Sequence, residues 1–469
     1  MNQRIATFVY VACIAGLFYL DRDVRPKVSK ALWIPTLWLL IIGSRPISLW
    51  LQSGPTISQI DQYSEGSPID ASAYGVLIVV GCVVLASRSR EVKAFVRSNS
   101  ALIFFFSYCA LSIVWSDYSF VALKRWIKSV GDWVMVLIVL TDSNPTWATK
   151  KLLSRAAFVL LPLSVLFIKY YPDLGRSYNP WTWIPMYCGV TTFKNLLGMT
   201  CLVCGLGSLW SLVSALTEGA KSERNRRVLA HAVMVATTIW LLFTANSMTS
   251  MSCFAMSGAL IILTMQKQAN TRIRIAHILT AGAVGLSLCG LFLDPQTMLS
   301  SLGRDPTLTG RTAIWHAVLS LHTNFLVGSG FESFWMGDRL ERIWEMTEKG
   351  IQEAHDGYLE VYLNLGWIGV VLLLNVIQVG YRRGIALFRR DSNAGRLRLA
   401  FLTAGVIYSL TEAGFRMMCP IWLLFLLATT TIPMLRRGKE NRLSSKPELK
   451  RIKTIPEVAF VLRGPFETV

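Results

Sequence analysis

Charged residues are scarce in this sequence, and acidic residues are the scarcer kind. Only 16% of the 469 residues are charged, and 28 acidic residues stand against 47 basic ones. A soluble protein of this size carries roughly a quarter of charged residues, whereas 53% of this chain is hydrophobic and its mean hydropathy is +0.45. This composition excludes an ordinary soluble domain and predicts an integral membrane protein, because a chain in lipid needs long apolar runs.

Several catalytic signatures are missing from the sequence. It contains no Walker A motif and no G-x-S-x-G motif, which argues against a built-in ATPase or a serine hydrolase of that kind. The five histidines are too few and wrongly spaced for a metalloenzyme. Eight of the nine cysteines lie within or beside apolar segments, so we interpret them as small apolar side chains. We therefore expect neither a metal nor a cofactor.

Apolar segments repeat along nearly the whole chain. Thirteen of them are candidate spans, several of them short, so we predict a bundle of about 12–13 spans. They are 5–20, 31–51, 72–86, 101–116, 128–141, 152–170, 194–215, 228–244, 249–266, 275–294, 359–380, 399–415 and 419–435. The predicted fold class is therefore all-α, a polytopic transmembrane helical bundle.

The net charge of +19 is distributed in short basic stretches between the apolar segments. Counting spans places the basic stretches 87–98, 221–227 and 381–398 and the tail after 435 on one side of the membrane. The first connection on the opposite side, 52–71, has three acidic residues and no Lys or Arg. Because cytoplasmic loops carry the excess of Lys and Arg, this pattern predicts a cytoplasmic C-terminus in a multi-pass membrane protein and no binding of nucleic acid.

The spacing of the spans divides the chain into four parts. Residues 1–294 hold the first ten spans, 295–358 form one long extracytoplasmic loop, 359–435 hold the last three spans, and 436–469 form a basic cytoplasmic tail. The loop contains two amphipathic stretches, a predicted helix over 312–327 capped by Thr309 and a second stretch from Phe334 to Met346. A long ordered loop of this kind is where functional residues tend to lie.

The loop carries the main candidate residues for catalysis and substrate binding. Arg311 follows a glycine at a predicted helix start, with Trp315 one turn later, and this arrangement suits a phosphate or diphosphate, although an ordinary capped helix explains it as well. His355 is placed at the membrane interface, where a neutral imidazole can accept a proton. Glu360 lies one turn inside an apolar span, an expensive position for a carboxylate that is neither paired nor functional.

Basic residues also occur where the positive-inside rule disfavours them. At outer span ends and in outer loops we find Arg45, Lys124, Arg125, Arg176, Lys194 beside Asn195, and Arg416. A cation at a membrane interface explains any one of them. If several converged on one outer cavity, they would form a site for an anionic lipid headgroup.

These landmarks, taken in order, resemble the bacterial O-antigen ligase/polymerase family of membrane glycosyltransferases, in particular its exopolysaccharide-polymerase branch. The motifs run over residues 44 to 366. They are Ser44-Arg45-Pro46, Trp115-Ser116-Asp117 followed by Lys124-Arg125, Lys194-Asn195-x-x-Gly198, Ser247-x-Thr249-Ser250, Thr309-Gly310-Arg311-x-x-x-Trp315, Gly328-x-Gly330-x-x-x-Phe334 and His355-Asp356-x9-Gly366. Two positions depart from the family pattern: Asp356 follows the loop histidine, and Met248 replaces a residue that is often basic.

The resemblance implies a fold of the glycosyltransferase-C kind and a metal-independent reaction at the outer face of the bacterial cytoplasmic membrane. The donor would be an oligosaccharide on a polyprenyl diphosphate. Transferred by motif, Arg311 becomes a diphosphate clamp, His355 a candidate base and Lys194 a second cation. Asn195, Arg176, Arg125, Lys124, Arg45, Glu360 and Trp315 complete the candidate binding residues. The bilayer is a further partner, and chain-length regulators and export proteins are compatible with this role.

Three functions stay open on the sequence. A polymerase of repeat units is our first hypothesis, and a ligase that moves the finished glycan to a lipid or protein acceptor shares the same site. A flippase or exporter of lipid-linked glycans also needs many spans and buried cations. Transporters place polar residues near the bilayer midplane, whereas most of the singular residues here lie at outer span ends and in one loop, which favours an enzyme.

Overall fold

The structure, a computed structural model, describes residues 2–22, 28–51, 67–178, 183–217, 221–266, 268–292, 311–321 and 324–431. Within these ranges the chain folds into α-helices, joined by two short 3-10 turns and one small hairpin. The helices are α1 Gln3–Leu20, α2 Trp33–Ile42, α3 Ile47–Trp50, α4 Pro68–Ala86, α5 Ser89–Ser98, α6 Ser100–Leu111, α7 Ser119–Leu140, α8 Pro145–Tyr170, α9 Pro172–Gly175, α10 Lys194–Thr217, α11 Lys221–Ala245, α12 Met248–Leu263, α13 Ala269–Phe292, α14 Arg311–Ser320, α15 Gly337–Met346, α16 Gly357–Arg390, α17 Ser392–Tyr408 and α18 Pro420–Thr429. The hairpin pairs β1 Arg176–Tyr178 with β2 Pro185–Tyr187 in antiparallel register.

The predicted all-α polytopic membrane fold is confirmed. Each of the thirteen predicted spans contains an α-helix. Among the described residues, six helices are long and apolar enough to cross a membrane, and α5 with the α6 segment forms a further pair bent by 88°. Three shorter apolar helices, Lys30–Ile42, Met248–Leu263 and Pro420–Thr429, lie within the same bundle. The predicted tail, 436–469, lies outside the described residues.

Contacts between helix ends define two ends of the bundle. Gln3 at the start of α1 donates to the carbonyl of Tyr170 at the end of α8, whereas Asp21 after α1 pairs with Lys151 near the start of α8. These two helices are therefore antiparallel. We call the end that holds Arg311 and His355 the site end, and the opposite end, rich in Lys and Arg, the basic end.

Arginines at the basic end satisfy the last carbonyls of helices. Arg88 donates to the carbonyl of Ile138 at 3.0 Å, at the end of α7. Arg396 donates to the carbonyl of Thr264 at 3.1 Å, after α12, and Arg398 to that of Thr430 at 2.9 Å, after α18. The last carbonyls of a helix have no partner within it, and cations there also interact favourably with the helix dipole.

Helix α16 is interrupted at Gly366, and the interruption anchors the loop before it. Gly366 has φ of 64° and ψ of −168°, a region that is essentially restricted to glycine. The break leaves backbone groups of 363–368 free to pair with 325–330: Trp367 N–H donates to Phe325 at 2.9 Å, and Gly330 N–H donates to Asn364 at 2.9 Å. A Cβ on Gly366 would lie 2.2 Å from the carbonyl carbon of Leu326. The glycines of two sequence motifs thus serve this close backbone contact.

The first amphipathic helix of the loop is shorter than predicted. It covers Arg311–Ser320 instead of 312–327, and Thr309, its predicted cap, lies outside the described residues. The side chain of Asn324 accepts hydrogen bonds from the N–H groups of Leu326 and Val327. This local turn competes with the helix and directs the chain toward Gly366. The second stretch forms α15, whose Leu340 and Ile343 are buried.

Candidate functional site

Glu412 is the residue on which several loop and helix residues converge. It lies in the turn between α17 and α18 and is 6% exposed. Its Oε1 accepts from Arg311 Nη2 at 3.0 Å and from Asn195 Nδ2 at 3.2 Å. Its Oε2 lies 3.2 Å from Nδ1 of His355. The structure therefore brings together three of the residues predicted from separate motifs.

A second set of ion pairs continues from His355. Its Nδ1 lies 3.0 Å from Oε1 of Glu353, and Arg416 Nη1 lies 3.6 Å from Oε2 of the same carboxylate. Arg416 Nε also lies 3.4 Å from Oε2 of Glu332. We call Arg311, His355, Arg416, Glu332, Glu353 and Glu412 the charge cluster. With His355 protonated, its three cations balance its three carboxylates.

The carboxylates determine the protonation state of His355. Burial alone would lower the pKa of the imidazole, but hydrogen bonds and charge interactions with Glu353 and Glu412 raise it to about 9. Burial would raise the pKa of Glu353, but His355, Arg416 and Arg311 together lower it below its usual value. His355 is therefore an imidazolium at neutral pH. Both bonds use Nδ1, and Nε2 has no hydrogen bond to any described residue.

Backbone strain is concentrated around this cluster. Five non-glycine residues in the described ranges have positive φ, among them Glu332 at 50°, His355 at 51° and Met418 at 57°. Such residues are uncommon, and each costs on the order of 1–3 kcal/mol unless the surroundings hold it in place. Strained residues at one location indicate a functional site whose geometry is enforced by its neighbours.

The Ala354 peptide, directly before His355, is held at both of its polar groups. Its carbonyl accepts from Trp315 Nε1 at 2.8 Å, and its N–H donates to Glu360 Oε1 at 2.6 Å. Glu360 also accepts from Trp335 Nε1, at 3.0 and 2.9 Å to its two oxygens. Trp315 and Glu360, expected among the binding residues, thus hold the backbone that orients His355.

Asp132 holds the backbone of the turn between α17 and α18, as Glu360 holds the backbone of the loop before His355. It lies in α7, is fully buried, and was not identified from the sequence. It accepts from Trp38 Nε1 at 2.8 Å and from the N–H of Met418 at 2.9 Å. A carboxylate is expensive to bury in a membrane helix, and here it fixes the strained residue that follows Arg416 and Met417.

Asp356 acts as a helix cap. Its Oδ1 accepts from the N–H groups of Tyr358 at 2.8 Å and Leu359 at 2.9 Å, at the start of α16. Burial raises its pKa to about 6, although these two hydrogen bonds and the charge of Arg311 oppose the shift. The carboxylates that contact His355 are instead Glu353 and Glu412.

The remaining predicted cations lie in three different environments. Arg45 donates to the carbonyls of Thr191, at 3.1 Å, and Leu174, and Arg176 donates to that of Ile168 at 3.0 and 2.9 Å. Arg125 donates to the carbonyl of Glu332, which places it beside the charge cluster. Lys124 lies 4.8 Å from the ring of Phe120. Lys194 is next to Asn195 in α10, half-buried, and makes no hydrogen bond or ion pair to the described residues.

Sequence reasoning missed the three carboxylates of the cluster. Glu412 and Arg416 are the only charged residues of 399–435, so the acidic partner could have been found by asking which residue offsets Arg416. Glu353 lies two positions before His355, a spacing that has no periodic meaning in a loop. Glu332 faces Arg416 only because the loop doubles back onto α16, which no local pattern indicates.

Glu353, His355 and Glu412 also satisfy a geometric test for a metal site. Their donor atoms all lie within 4.8 Å of one another. However, Arg311 and Arg416 lie 3.0 and 3.6 Å from two of these carboxylates. Their positive charges oppose a divalent cation at this position, and they already neutralise the ligands that it would need. The donor set therefore fits the observed ion pairs better than a metal.

Comparison with known proteins shows which family the chain is similar to. Residues 228–374 match the family described as O-antigen ligase. This segment includes Arg311, Glu332, Glu353 and His355. The chain is also 26% identical over 288 residues to the exopolysaccharide production protein ExoQ of Rhizobium meliloti (strain 1021), a match that covers 58% of this chain. The chain spans 62% of the length of that relative. Together they confirm the resemblance to the O-antigen ligase and exopolysaccharide family.

Proposed function

We propose that this protein polymerises oligosaccharide repeat units carried on a polyprenyl diphosphate, for an exopolysaccharide or O-antigen, at the outer face of the bacterial cytoplasmic membrane. The observation that carries the proposal is the charge cluster, in which Arg311, His355 and Arg416 are held by carboxylates at one end of a membrane bundle. The exopolysaccharide role of the relative supports an exopolysaccharide as product.

In this proposal the cations of the cluster bind the diphosphate of the donor lipid. A guanidinium forms paired, charge-assisted hydrogen bonds to phosphate oxygens, and the guanidinium of Arg311 is held 3.0 Å from a Glu412 oxygen that a diphosphate can replace. The site balances its charges internally, so the diphosphate replaces carboxylates as the partner of the cations. Lys194, half-buried beside Asn195, supplies a further positive charge.

The reaction is displacement at the anomeric carbon. An acceptor hydroxyl oxygen forms the new glycosidic bond, the anomeric C–O bond to the diphosphate breaks, and its electron pair leaves on the diphosphate oxygen. The imidazolium of His355 stabilises the negative charge that develops on the leaving diphosphate. The hydroxyl proton goes to Glu353, whose side chain is 28% exposed, in contrast to 7% for Glu412. The role of base assigned to His355 by the family motif is the alternative, since both carboxylates contact Nδ1 and not Nε2.

A ligase that transfers finished glycan shares every step except the acceptor. It is the second candidate because the matched family is described as O-antigen ligase. A flippase is less well supported, because the strained and charged residues lie together at one end of the bundle. The proposal further places the C-terminus in the cytoplasm and makes the reaction independent of metal, with chain-length regulators and exporters as partners in the cell.

Deletion of the gene and analysis of the accumulated lipid-linked glycans tests the function. A polymerase leaves single repeat units on the carrier lipid at the outer face. Long lipid-linked polymers would identify a ligase instead, and repeat units retained at the inner face would indicate a flippase. Complementation with Arg311→Ala should reproduce the deletion pattern, while complementation with the unchanged gene restores the polymer.

A further inference from the structure

A polar groove lies beside the charge cluster, at the junction between α15 and the start of α7. Its volume is about 390 Å³, which falls in the range of about 300–1,000 Å³ of small-molecule pockets. Asp117, Tyr118, Asp338, Arg339 and Arg342 are among the residues that line it. None of these residues belongs to the charge cluster, and the Trp115-Ser116-Asp117 motif has no role in the reaction described above.

The wall of the groove contains a fixed guanidinium beside an exposed carboxylate. Arg339 Nη2 lies 3.0 Å from Asp117 Oδ2, and the two side chains are 14% and 62% exposed. Arg339 also donates to the carbonyl of Phe334 at 3.3 Å and lies 5.2 Å from the ring of that residue. The guanidinium is therefore held in place, while much of the Asp117 carboxylate faces solvent.

The groove and the charge cluster share one short segment of chain. Glu332 belongs to the cluster and Met336 lines the groove. Four residues of extended chain reach at most about 14 Å. The segment is fixed between them, because the N–H groups of Ser333 and Phe334 donate to Asn364 Oδ1 at 2.8 and 3.1 Å and Trp335 donates to Glu360. A ligand of a few sugar rings could therefore extend from the groove to the reacting centre.

The charges of the groove point to a neutral ligand. Asp117 and Asp338 offset Arg339 and Arg342, so the groove offers no net attraction to a diphosphate. Leu321 and Met336 add apolar surface beside these groups. A sugar ring has hydroxyl groups at its edge and C–H groups on its face. Carboxylates accept from hydroxyls, guanidinium groups donate to them, and the ring of Tyr118 and the apolar side chains suit the C–H face.

We propose that this groove binds uncharged sugar residues of the glycan next to the reacting end. The proposal rests on the proposed function and adds a saccharide subsite to it. The subsite sets which glycan is presented to the charge cluster, while the cluster itself holds the diphosphate.

Direct binding tests the subsite without relying on turnover. The probe is the repeat-unit oligosaccharide, released from its lipid carrier, added to the full chain in detergent and followed by saturation-transfer NMR and calorimetry. We expect Asp117→Ala and Arg342→Ala each to weaken oligosaccharide binding about tenfold while the binding of inorganic pyrophosphate stays the same. Glu341→Ala, on α15 but outside the lining, is the matched control. Arg311→Ala should show the opposite pattern, losing pyrophosphate and keeping the oligosaccharide.

Unchanged oligosaccharide binding in Asp117→Ala and Arg342→Ala, or none by the unaltered protein, would overturn the subsite. Thermal unfolding of each variant in detergent identifies any that fails to fold, and Asp117→Asn then replaces it because it keeps the shape of the side chain. If the oligosaccharide binds in the groove but deletion of the gene leaves lipid-linked repeat units unaffected, the subsite stands and the proposed polymerase function fails.

Discussion

Arginines occur at both ends of the bundle, but they bond to different chemical groups. At the basic end Arg88, Arg396 and Arg398 donate to carbonyls at helix C-termini. At the site end Arg311 and Arg416 pair with carboxylate side chains. A backbone carbonyl cannot leave its partner without unwinding the helix, whereas a side-chain carboxylate can be replaced by another anion. The partner of a cation, more than its charge, therefore separates structural arginines from those available to a substrate.

The same distinction applies within the site end. Arg45 and Arg176 were expected to bind substrate, yet their guanidinium groups donate to the carbonyls of Ile168, Thr191 and Leu174. By this criterion they hold the connection between α8 and α10, while Arg311 and Arg416 can change partners.

Removal of Arg311 should produce the largest loss. We expect Arg311→Ala to lower kcat/KM for a lipid-linked repeat unit by about 10²–10³-fold, the cost typical of removing one donor to a developing oxyanion. Arg311→Lys should recover only part of this, because an ammonium cannot form the paired bonds of a guanidinium. The measurement is polymer formation by purified protein in liposomes.

Arg398→Ala is the control for this loss, since it removes a cation of the same type at the other end. Polymer formation per folded molecule should stay close to that of the unaltered protein. Equal losses of activity in the two variants would contradict the comparison, because the partner of the arginine would then make no difference.

The pH dependence of activity should follow the imidazolium of His355. Its pKa of about 9 lies above the usual value, so the charged form predominates below about pH 9 and is lost as the pH rises beyond it. We expect kcat/KM to fall by about tenfold per pH unit above that point. The lowered pKa of Glu353 keeps its carboxylate ionised at neutral pH.

An activity that instead rises toward pH 9 and then stays constant would assign the base to Nε2 of His355. His316→Ala provides the control, because His316 is exposed on α14 and should leave the profile unchanged. His355→Ala should lower polymer formation, by less than Arg311→Ala does, and should remove the fall in activity above about pH 9.

The sequence was sufficient to predict the helices, because each span carries its own apolar signal. It also gave Arg311 and His355 as candidates, since both lie in motifs with a recognisable order, and the structure brings both to Glu412. It did not identify Glu412, which contacts both of these residues, or Asp132, which accepts from the N–H of Met418. Glu412 meets Asn195 across 217 positions of chain, and Asp132 meets Met418 across 286. Such pairs depend on how α7, α10 and the α17–α18 turn pack, which periodicity within one helix does not indicate.

Glu360→Gln should reduce activity by about tenfold, which is less than the loss in Arg311→Ala. Glu360 acts indirectly, because it accepts from the N–H of Ala354, the residue before His355. The amide of glutamine places an N–H₂ donor against Trp335 or Ala354, leaving a buried donor unsatisfied at a cost of about 1–3 kcal/mol. We expect kcat to fall with little change in KM, and the upper pH limit to move below about 9 as His355 loses its fixed orientation. Addition of Trp335→Phe, which removes one opposing donor, should restore part of both. A loss of stability without a shift in the pH limit would reduce Glu360 to a packing role.

Arg398→Ala should lower the stability of the protein, whereas Arg311→Ala should lower its activity. The removed guanidinium leaves the carbonyl of Thr430 without its donor, and hydrogen bonds from charged groups contribute about 1.5–3 kcal/mol. We expect a lower midpoint of thermal unfolding in detergent. Arg90→Ala, at an exposed position of the same end, should leave the midpoint close to that of the unaltered protein. An unchanged midpoint in Arg398→Ala would show that the cap is dispensable.

The smallest effects should come from two aspartates that cap helices at opposite ends. Asp356 caps α16 beside His355, and Asp391 caps α17 at the basic end through the N–H groups of Asn393 and Ala394, both at 3.0 Å. Each change to alanine should cost about 1 kcal/mol of stability. Only Asp356→Ala should also lower polymer formation, by a few fold, because α16 begins two residues after His355 and its first turn fixes the loop.

Asp356→Asn keeps the accepting oxygen and should restore both stability and polymer formation. An equal loss of activity in Asp391→Ala and Asp356→Ala would contradict this prediction, because the site would then respond to helix stability at either end.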